Sequence, residues 1–279
     1  MTVYNQVVIV GVGLLGGSIG KALRERRLAN SVVGVGRNPS TLSGAIECGA
    51  VDRTEQKVSV ACRDADVLII CTPVQTIARY VNECLQHVAP GTLITDAGST
   101  KLGICREVET AAHQSFCGSH PLAGSDKSGV RWSDGGLFNG RLTIVTPTST
   151  TPPELVERTK LFWESLGSRT RLMSPDLHDR ALASTSHVPH LLASVLAAST
   201  PDEYLSVVAS GWCDTTRVAG GDPELWCQII EENYVEVTAA FQRLGQNVQT
   251  MLQALRNRDR EQLKQLLEQG KVKRDSVGN

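Results

Sequence analysis

Short β-branched runs alternate with segments of helix length through the first 171 residues, and beyond that point the runs stop. Val, Ile and Leu gather at 7–10, 31–35, 67–71, 92–95 and 142–146, each run bounded by turn residues, and this predicts five strands. The first and third runs lack a polar position, the signature of strands covered on both faces in a parallel sheet. Regular alternation with helices then predicts a doubly wound α/β fold over 1–171. From Leu172 onward only helical spacing remains. Residues 176–198 read as helix, and 223–255 read as one long helix. In the latter Leu225, Ile229, Ile230, Val237, Phe241, Leu244, Val248, Leu252 and Leu255 recur near 3.6-residue spacing. Gly245 is the expected kink or end of that helix. A last helix over 259–269 carries Leu263, Leu266 and Leu267 on one side, and the polar tail 271–279 is expected to fray. An all-helical unit over 172–279 with so long an apolar stripe calls for a partner, first of all a second copy of the chain in a homodimer.

Composition narrows the class. Lys+Arg 28 against Asp+Glu 29 leave a net charge of -1, so no strong field draws a polyanion; neither nucleic acid nor a membrane is an expected partner. Hydrophobic residues at 41% are too many for a disordered chain. No apolar run approaches the roughly 20 residues of a membrane helix. The first residues run into a strand without the features of a secretory signal. The eight cysteines form no C-x-x-C pair, and several sit in apolar segments. This is the pattern of reduced thiols in a cytoplasmic protein rather than of disulfides or a zinc site.

Gly11-Val12-Gly13-Leu14-Leu15-Gly16 directly follows the first strand and opens the helix after it. The spacing is weak alone and strong in a strand–turn–helix context. Gly11 permits the tight turn, Gly13 lets backbone approach a pyrophosphate, and Gly16 lets helix pack on strand. The diphosphate then lies on the free N–H groups that begin at Leu14 and Leu15, at the positive end of the helix dipole. The expected fold of 1–171 is therefore a Rossmann-type dinucleotide-binding domain. NAD-binding versions carry an acidic residue at the end of the second strand. Here that slot holds Gly36, followed by Arg37, with Ser40 and Thr41 nearby, which favours NADP over NAD. Arg37 stacking on the adenine of either cofactor is the alternative.

Three further segments place polar residues where loops leave the strands: Thr72-Pro73, the stretch from Asp96 to Lys101, and the stretch from Gly118 to Gly129 with His120 in a rigid loop between small residues and a proline. Together with the glycine turn, the series Asp96-x-x-Ser99-x-Lys101, His120-Pro121-x-Ala123-Gly124, Ser186-His187-x-Pro189-His190 and Asp214-x-Thr216-Arg217 resembles the prephenate and arogenate dehydrogenase family of tyrosine biosynthesis. The resemblance runs almost the whole chain. It implies an amino-terminal dinucleotide domain, a helical dimerisation domain, and oxidative decarboxylation of a cyclohexadiene carrying a 4-hydroxyl.

The roles that follow are those the resemblance implies. His120 is the catalytic imidazole that accepts the 4-hydroxyl hydrogen bond, and Ser99 sits near that hydroxyl and the nicotinamide, where it orients His120. Arg217 grips a substrate carboxylate. His187 and Trp226 line the pocket, and Asp126 and Asp214 pair with Arg217 and control access. Thr72 and Pro73 join the cofactor residues. Each has a plainer alternative: Ser99 as a helix cap, Arg217 as a surface ion pair, Trp226 as interface core. His187 and His190 share one helix face but lack further ligands, so no metal is expected. Neither a fused mutase segment before the first strand nor feedback through a separate domain is expected.

Overall fold

Successive residues of the first strand face opposite cores, because alternate side chains of a strand leave on opposite sides. The computed structural model describes residues 3–109, 114–125 and 127–277. In it β1 (Tyr4–Val10), β2 (Ala29–Val35), β3 (Arg53–Glu55), β4 (Val67–Ile70) and β5 (Leu93–Asp96) form one parallel sheet in the order β3-β2-β1-β4-β5. Val7, Ile9, Val67 and Ile69 enter one core, while Val8, Val10, Leu68 and Ile70 enter the other. Helices α1 (Leu14–Glu25), α2 (Pro39–Glu47), α3 (Val58–Ala61), α4 (Val74–Leu85) and α5 (Leu102–Glu109) connect the strands. Each fully buried Ile or Leu contributes about 1.5–3 kcal/mol of transfer free energy.

Residues 142–146 do form a strand, but not in that sheet. A second sheet has the order β6-β7-β8: β6 (Gly118–Pro121) runs antiparallel to β7 (Leu142–Thr146), and β8 (Arg169–Leu172) runs parallel to it. His120 therefore lies on a strand, opposite Ile144, rather than in the loop its small neighbours suggest. Helix α6 (Pro153–Ser165) joins β7 to β8 and buries Phe162 and Trp163.

Helices make up the remainder: α7 (Pro175–Leu182), α8 (Val188–Ala198), α9 (Ser210–Thr216), α10 (Pro223–Glu232), α11 (Tyr234–Arg256) and α12 (Arg260–Asp275). Between α7 and α8 the turn Ala183–His187 widens to π-helical winding. Pro189 explains it, because it offers no N–H to the carbonyl four residues back and its ring crowds that group. The expected single helix over 223–255 breaks at Asn233, whose side chain is drawn into the interior; Gly245 lies inside α11 without ending it. The tail expected to fray stays helical through Asp275, with Asp259 accepting from the Gln262 N–H at its start. Ala183, Val188, Val237 and Ala240 are the small core of this half. Large apolar residues including Val195, Val235, Phe241, Leu252 and Leu255 remain exposed. No helix among the described residues is long and apolar enough to cross a membrane.

Candidate active site

The glycine turn has the shape its spacing implies. Gly11 has φ +93°, where L side chains are strained, and a Cβ there would stand 2.7 Å from the Cys71 carbonyl oxygen and 3.0 Å from Thr72 Cγ2. Helix α1 and the Thr72-Pro73 segment are thereby held against each other at the carboxyl ends of β1 and β4. A Cβ on Gly16 would meet the Gly11 oxygen at 2.2 Å, whereas one on Gly13 would meet nothing within 4 Å. Gly13 is the N-cap of α1, without a side-chain cap, and the first turn carries no acid. The first-turn amides at Leu14 and Leu15 thus follow a Gly13 position that is open on its Cβ side, at the positive end of the helix, which suits a dinucleotide pyrophosphate. At the end of β2, Arg37 is exposed and Ser40 is tied to Asn38, which caps α2. A Cβ on Gly36 would meet only the Leu42 side chain, at 3.2 Å.

Beside this surface a buried polar network fixes β6. The Asp96 carboxylate accepts from the Gly98 and Ser119 amides, each at 2.9 Å, and pairs with Lys101 Nζ; both side chains are fully buried. Lys101 Nζ also donates to the Ser119 carbonyl at 2.9 Å. The Ser119 hydroxyl donates to the Asp96 carbonyl and accepts from Trp163 Nε1 at 2.8 Å. A charge leaves water at a cost of several kcal/mol, so such a pair persists only when its remaining hydrogen bonds are made. Here Asp96 accepts from two amides as well as from Lys101, and Lys101 donates to the Ser119 carbonyl as well as to Asp96; the residue after Ser119 is His120.

His120 is half-buried beside the buried Gly118, Ser119 and Pro121. Burial, with the fields of His178, Lys101 and His187, holds its pKa well below the ordinary value, so the imidazole is neutral near pH 7. Its Nδ1 lies 2.9 Å from His178 Nε2. His178 Nδ1 in turn lies 2.7 Å from Asp179 Oδ1. The same carboxylate accepts from the backbone amides of Lys101 at 2.8 Å and Leu102 at 2.9 Å. It therefore caps α5, the place where Ser99 was one expectation. Ser99 does not orient His120 either: that contact belongs to His178. Neither His178 nor Asp179 was among the expected site residues. A signal was present, since Pro175, His178, Asp179 and Leu182 form the buried stripe of α7, with a polar pair where apolar residues belong.

From the helical half, His187 is buried on the π turn and within hydrogen-bonding distance of Asn233 Nδ2, at 3.3 Å. Burial lowers its pKa to about 4. Its ring meets Trp226 edge to face at 6.2 Å, and His190 stacks flat on Trp226 with centroids 3.6 Å apart. The single turn Arg217–Gly220 packs on α8 beside this stack. Arg217 and Asp214 are both exposed. The ion pairs of the described residues include neither, so the expected Asp214–Arg217 pairing is not formed. Asp126 lies outside the described residues. Among the described residues no group of three or more His, Cys, Asp or Glu side chains could hold a metal ion.

A glycine turn built for a dinucleotide, a held neutral imidazole and a helical half bearing a guanidinium now share one chain. The family model described as the nucleotide-binding domain of prephenate dehydrogenase matches residues 19–172, and that described as its dimerization domain matches 174–269. The chain belongs to the prephenate dehydrogenase family. It is an oxidoreductase with an NAD(P)-binding Rossmann-type domain followed by an all-helical dimerisation domain. Among relatives, the cyclohexadienyl dehydrogenase of Zymomonas mobilis is 29% identical over 84% of this chain and 82% of its own. The Aquifex aeolicus prephenate dehydrogenase, solved with hydroxyphenyl propionate and NAD+, superposes with TM-score 0.90 at 29% identity, covering 98% of each chain. Synechocystis arogenate dehydrogenase gives TM-score 0.84 at 30% identity, over 98% of this chain and 99% of its own. The site residues expected from the sequence are distributed over both halves, with His120 on β6 and Arg217 after α9.

Proposed function

We propose that the chain converts prephenate to 4-hydroxyphenylpyruvate by oxidative decarboxylation. The observation that carries this reading is the neutral His120, gripped at Nδ1 by His178 and left with one ring nitrogen for a substrate hydroxyl. That nitrogen accepts the 4-hydroxyl proton, a contribution of roughly 10²–10⁴-fold for a positioned base. As the O–H bond breaks, its electron pair forms the C4=O bond while the C4 hydrogen leaves as hydride; the bond to the ring carboxylate then breaks, its electron pair passing through the ring to the C4 oxygen, which takes a proton back from His120 as the ring becomes a phenol and carbon dioxide departs. The nicotinamide, when bound, accepts the hydride. Ser99 stands on the substrate side, donating to the 4-hydroxyl region, since His120 Nδ1 is already taken.

Arg217 holds a substrate carboxylate, for which its planar fork supplies two parallel hydrogen bonds. His187 and Trp226 bound the pocket, and Asp214 flanks its entrance. Gly11, Gly13, Leu14, Leu15, Gly16, Thr72 and Pro73 cradle the cofactor. NADP is the preferred form: Gly36 presents no carboxylate to repel a 2′-phosphate, and exposed Arg37 and Ser40 are placed to meet it. Two copies associate through the exposed apolar face of α8 and α11, with the division between dinucleotide and dimerisation domains at 171–172. Eight free thiols support a cytoplasmic location.

Arogenate is the second reading, favoured by the likeness to the Synechocystis arogenate dehydrogenase. The test mixes purified protein with prephenate or arogenate and with NAD or NADP, following absorbance of the reduced nicotinamide. Turnover highest with prephenate and NADP is expected; no reduction in any of the four mixtures would refute the reading.

A further inference from the structure

His178 and Asp179 are buried ionisable groups for which the reaction above has no use. Their protons can nevertheless be counted. A carboxylate only accepts, so the 2.7 Å contact with Asp179 Oδ1 puts a hydrogen on His178 Nδ1. Burial holds His178 below the ordinary histidine range, so near pH 7 it carries no second hydrogen and its Nε2 is a bare lone pair. The 2.9 Å contact from His178 Nε2 to His120 Nδ1 then takes its hydrogen from His120. One nitrogen of His120 remains, without a hydrogen.

We propose that His178 and Asp179 are positioning residues that lock His120 in its Nδ1–H tautomer, so that Nε2 is the atom that receives the substrate's hydroxyl proton. The substrate's place at Nε2 rests on the function proposed above; the tautomer lock does not. The carboxylate that anchors the chain cannot swing, because its two oxygens also hold the Lys101 and Leu102 amides, and Asn233 Nδ2 donates to the Asp179 carbonyl at 2.7 Å. When His120 gains a proton, its Nδ1–H still donates to His178, and the new charge faces Asp179 through that ring. The other charged or titratable groups around the pair are Lys101 at the start of α5, Asp96 at the end of β5 and His187 on the π turn. Lys101 opposes the imidazolium, and Asp96 offsets it. A hydrogen-bonded partner that fixes a catalytic imidazole's tautomer is worth as much as 10⁴-fold where the partner is a carboxylate in direct contact; a relay through a second ring acts less strongly.

Two measurements decide the matter. Nitrogen-15 spectra of histidine-labelled protein at pH 7, with the His120 signals assigned by their loss in His120→Asn, should show hydrogen on Nδ1 and none on Nε2. Hydrogen on Nε2, or on both nitrogens, overturns the proposal whatever the reaction proves to be. In steady-state kinetics, His178→Phe should lower kcat about 10²–10³-fold with KM values within about twofold of wild type. The acid limb of its kcat/KM profile should move to lower pH, because the imidazolium has lost its acceptor. His178→Gln, whose Oε1 can accept from His120, should recover part of kcat; it also serves if the phenylalanine variant does not fold. Unchanged kcat and an unmoved acid limb in the folded variants overturn the proposal. Wild-type protein inactive on both prephenate and arogenate would instead bring down the functional reading and with it the substrate's place at Nε2, while the spectra still decide the tautomer.

Discussion

Replacing Gly13 and Gly16 separately by alanine pulls apart two duties of the same turn. Gly13 has φ -91°, open to any residue, and its Cβ would touch nothing within 4 Å. Ala is a poorer N-cap than Gly by about 0.5–1 kcal/mol, a loss the fold should survive. The methyl would, however, occupy the space through which pyrophosphate oxygens reach the α1 amides. Each hydrogen bond to a charged group lost there costs about 1.5–3 kcal/mol, which raises the dinucleotide Kd about 10–150-fold. Gly16 should behave in the opposite way. Its Cβ would lie 2.2 Å from the Gly11 carbonyl oxygen and 2.9 Å from Ile9 Cγ2, so backbone must move. Overpacking of this kind costs about 1–3 kcal/mol, or roughly 2–12 °C in Tm for a chain of this size. Thermal unfolding and fluorescence titration with NADP and NAD measure both quantities on each variant. A Gly13→Ala protein that binds dinucleotide with wild-type Kd, or a Gly16→Ala protein with unchanged Tm, would refute the assignment of duties.

Four other outcomes are expected. Arg217→Gln should raise KM for prephenate by a factor matching about 2–4 kcal/mol, with kcat less affected; an unaltered KM would mean that another cation holds the carboxylate. Lys101→Met should leave the Asp96 carboxylate buried without its cation and cost about 3–5 kcal/mol in urea unfolding, and a loss under about 1 kcal/mol would contradict the buried pair. Gly36→Asp, which has only the Leu42 side chain to displace, should raise KM for NADP at least about 10-fold and spare NAD; equal effects on both cofactors would remove Gly36 from the 2′-phosphate site. Finally, His187 titrates at about 4 in the folded protein against an ordinary 6.5, so the unfolded chain binds more protons between those values. Its contribution to stability is present above pH 6.5 and lost as pH falls toward 4, about 2 kcal/mol by pH 5. His120 and His178 shift in the same direction. Unfolding free energies that agree at pH 7 and pH 5 would refute this.

The strands buried on both faces were legible because two-sided burial writes itself as uninterrupted apolar sequence, as at Val7–Ile9 and Val67–Ile70. Strands β3, β6 and β8 were not. Arg-Thr-Glu and Arg-Thr-Arg-Leu edge their sheets half-exposed, and Gly-Ser-His-Pro becomes a strand only because β7 and the Asp96–Ser119 contacts hold it. Tertiary pairing there overrides weak local preference. The site divided in the same way. Gly11, Gly13 and Gly16 act through local backbone geometry, which spacing reports. His120 was visible as a residue, but its partner lies 58 positions away, and nothing local announces such a contact. The break at Asn233 followed the same rule: the residue leaves the helical pattern to serve Asp179 and His187, neither of which is nearby in sequence.

A carboxylate of the carboxyl-terminal half closes the first turn of a helix in the amino-terminal half. Any gaping motion between the two would strip two amides and strand an anion, at about 1.5–3 kcal/mol for each bond. Such a state would be populated below about one per cent. Ligands therefore have to come and go without the two halves parting, and mutations that loosen Asp179 should let the halves hinge.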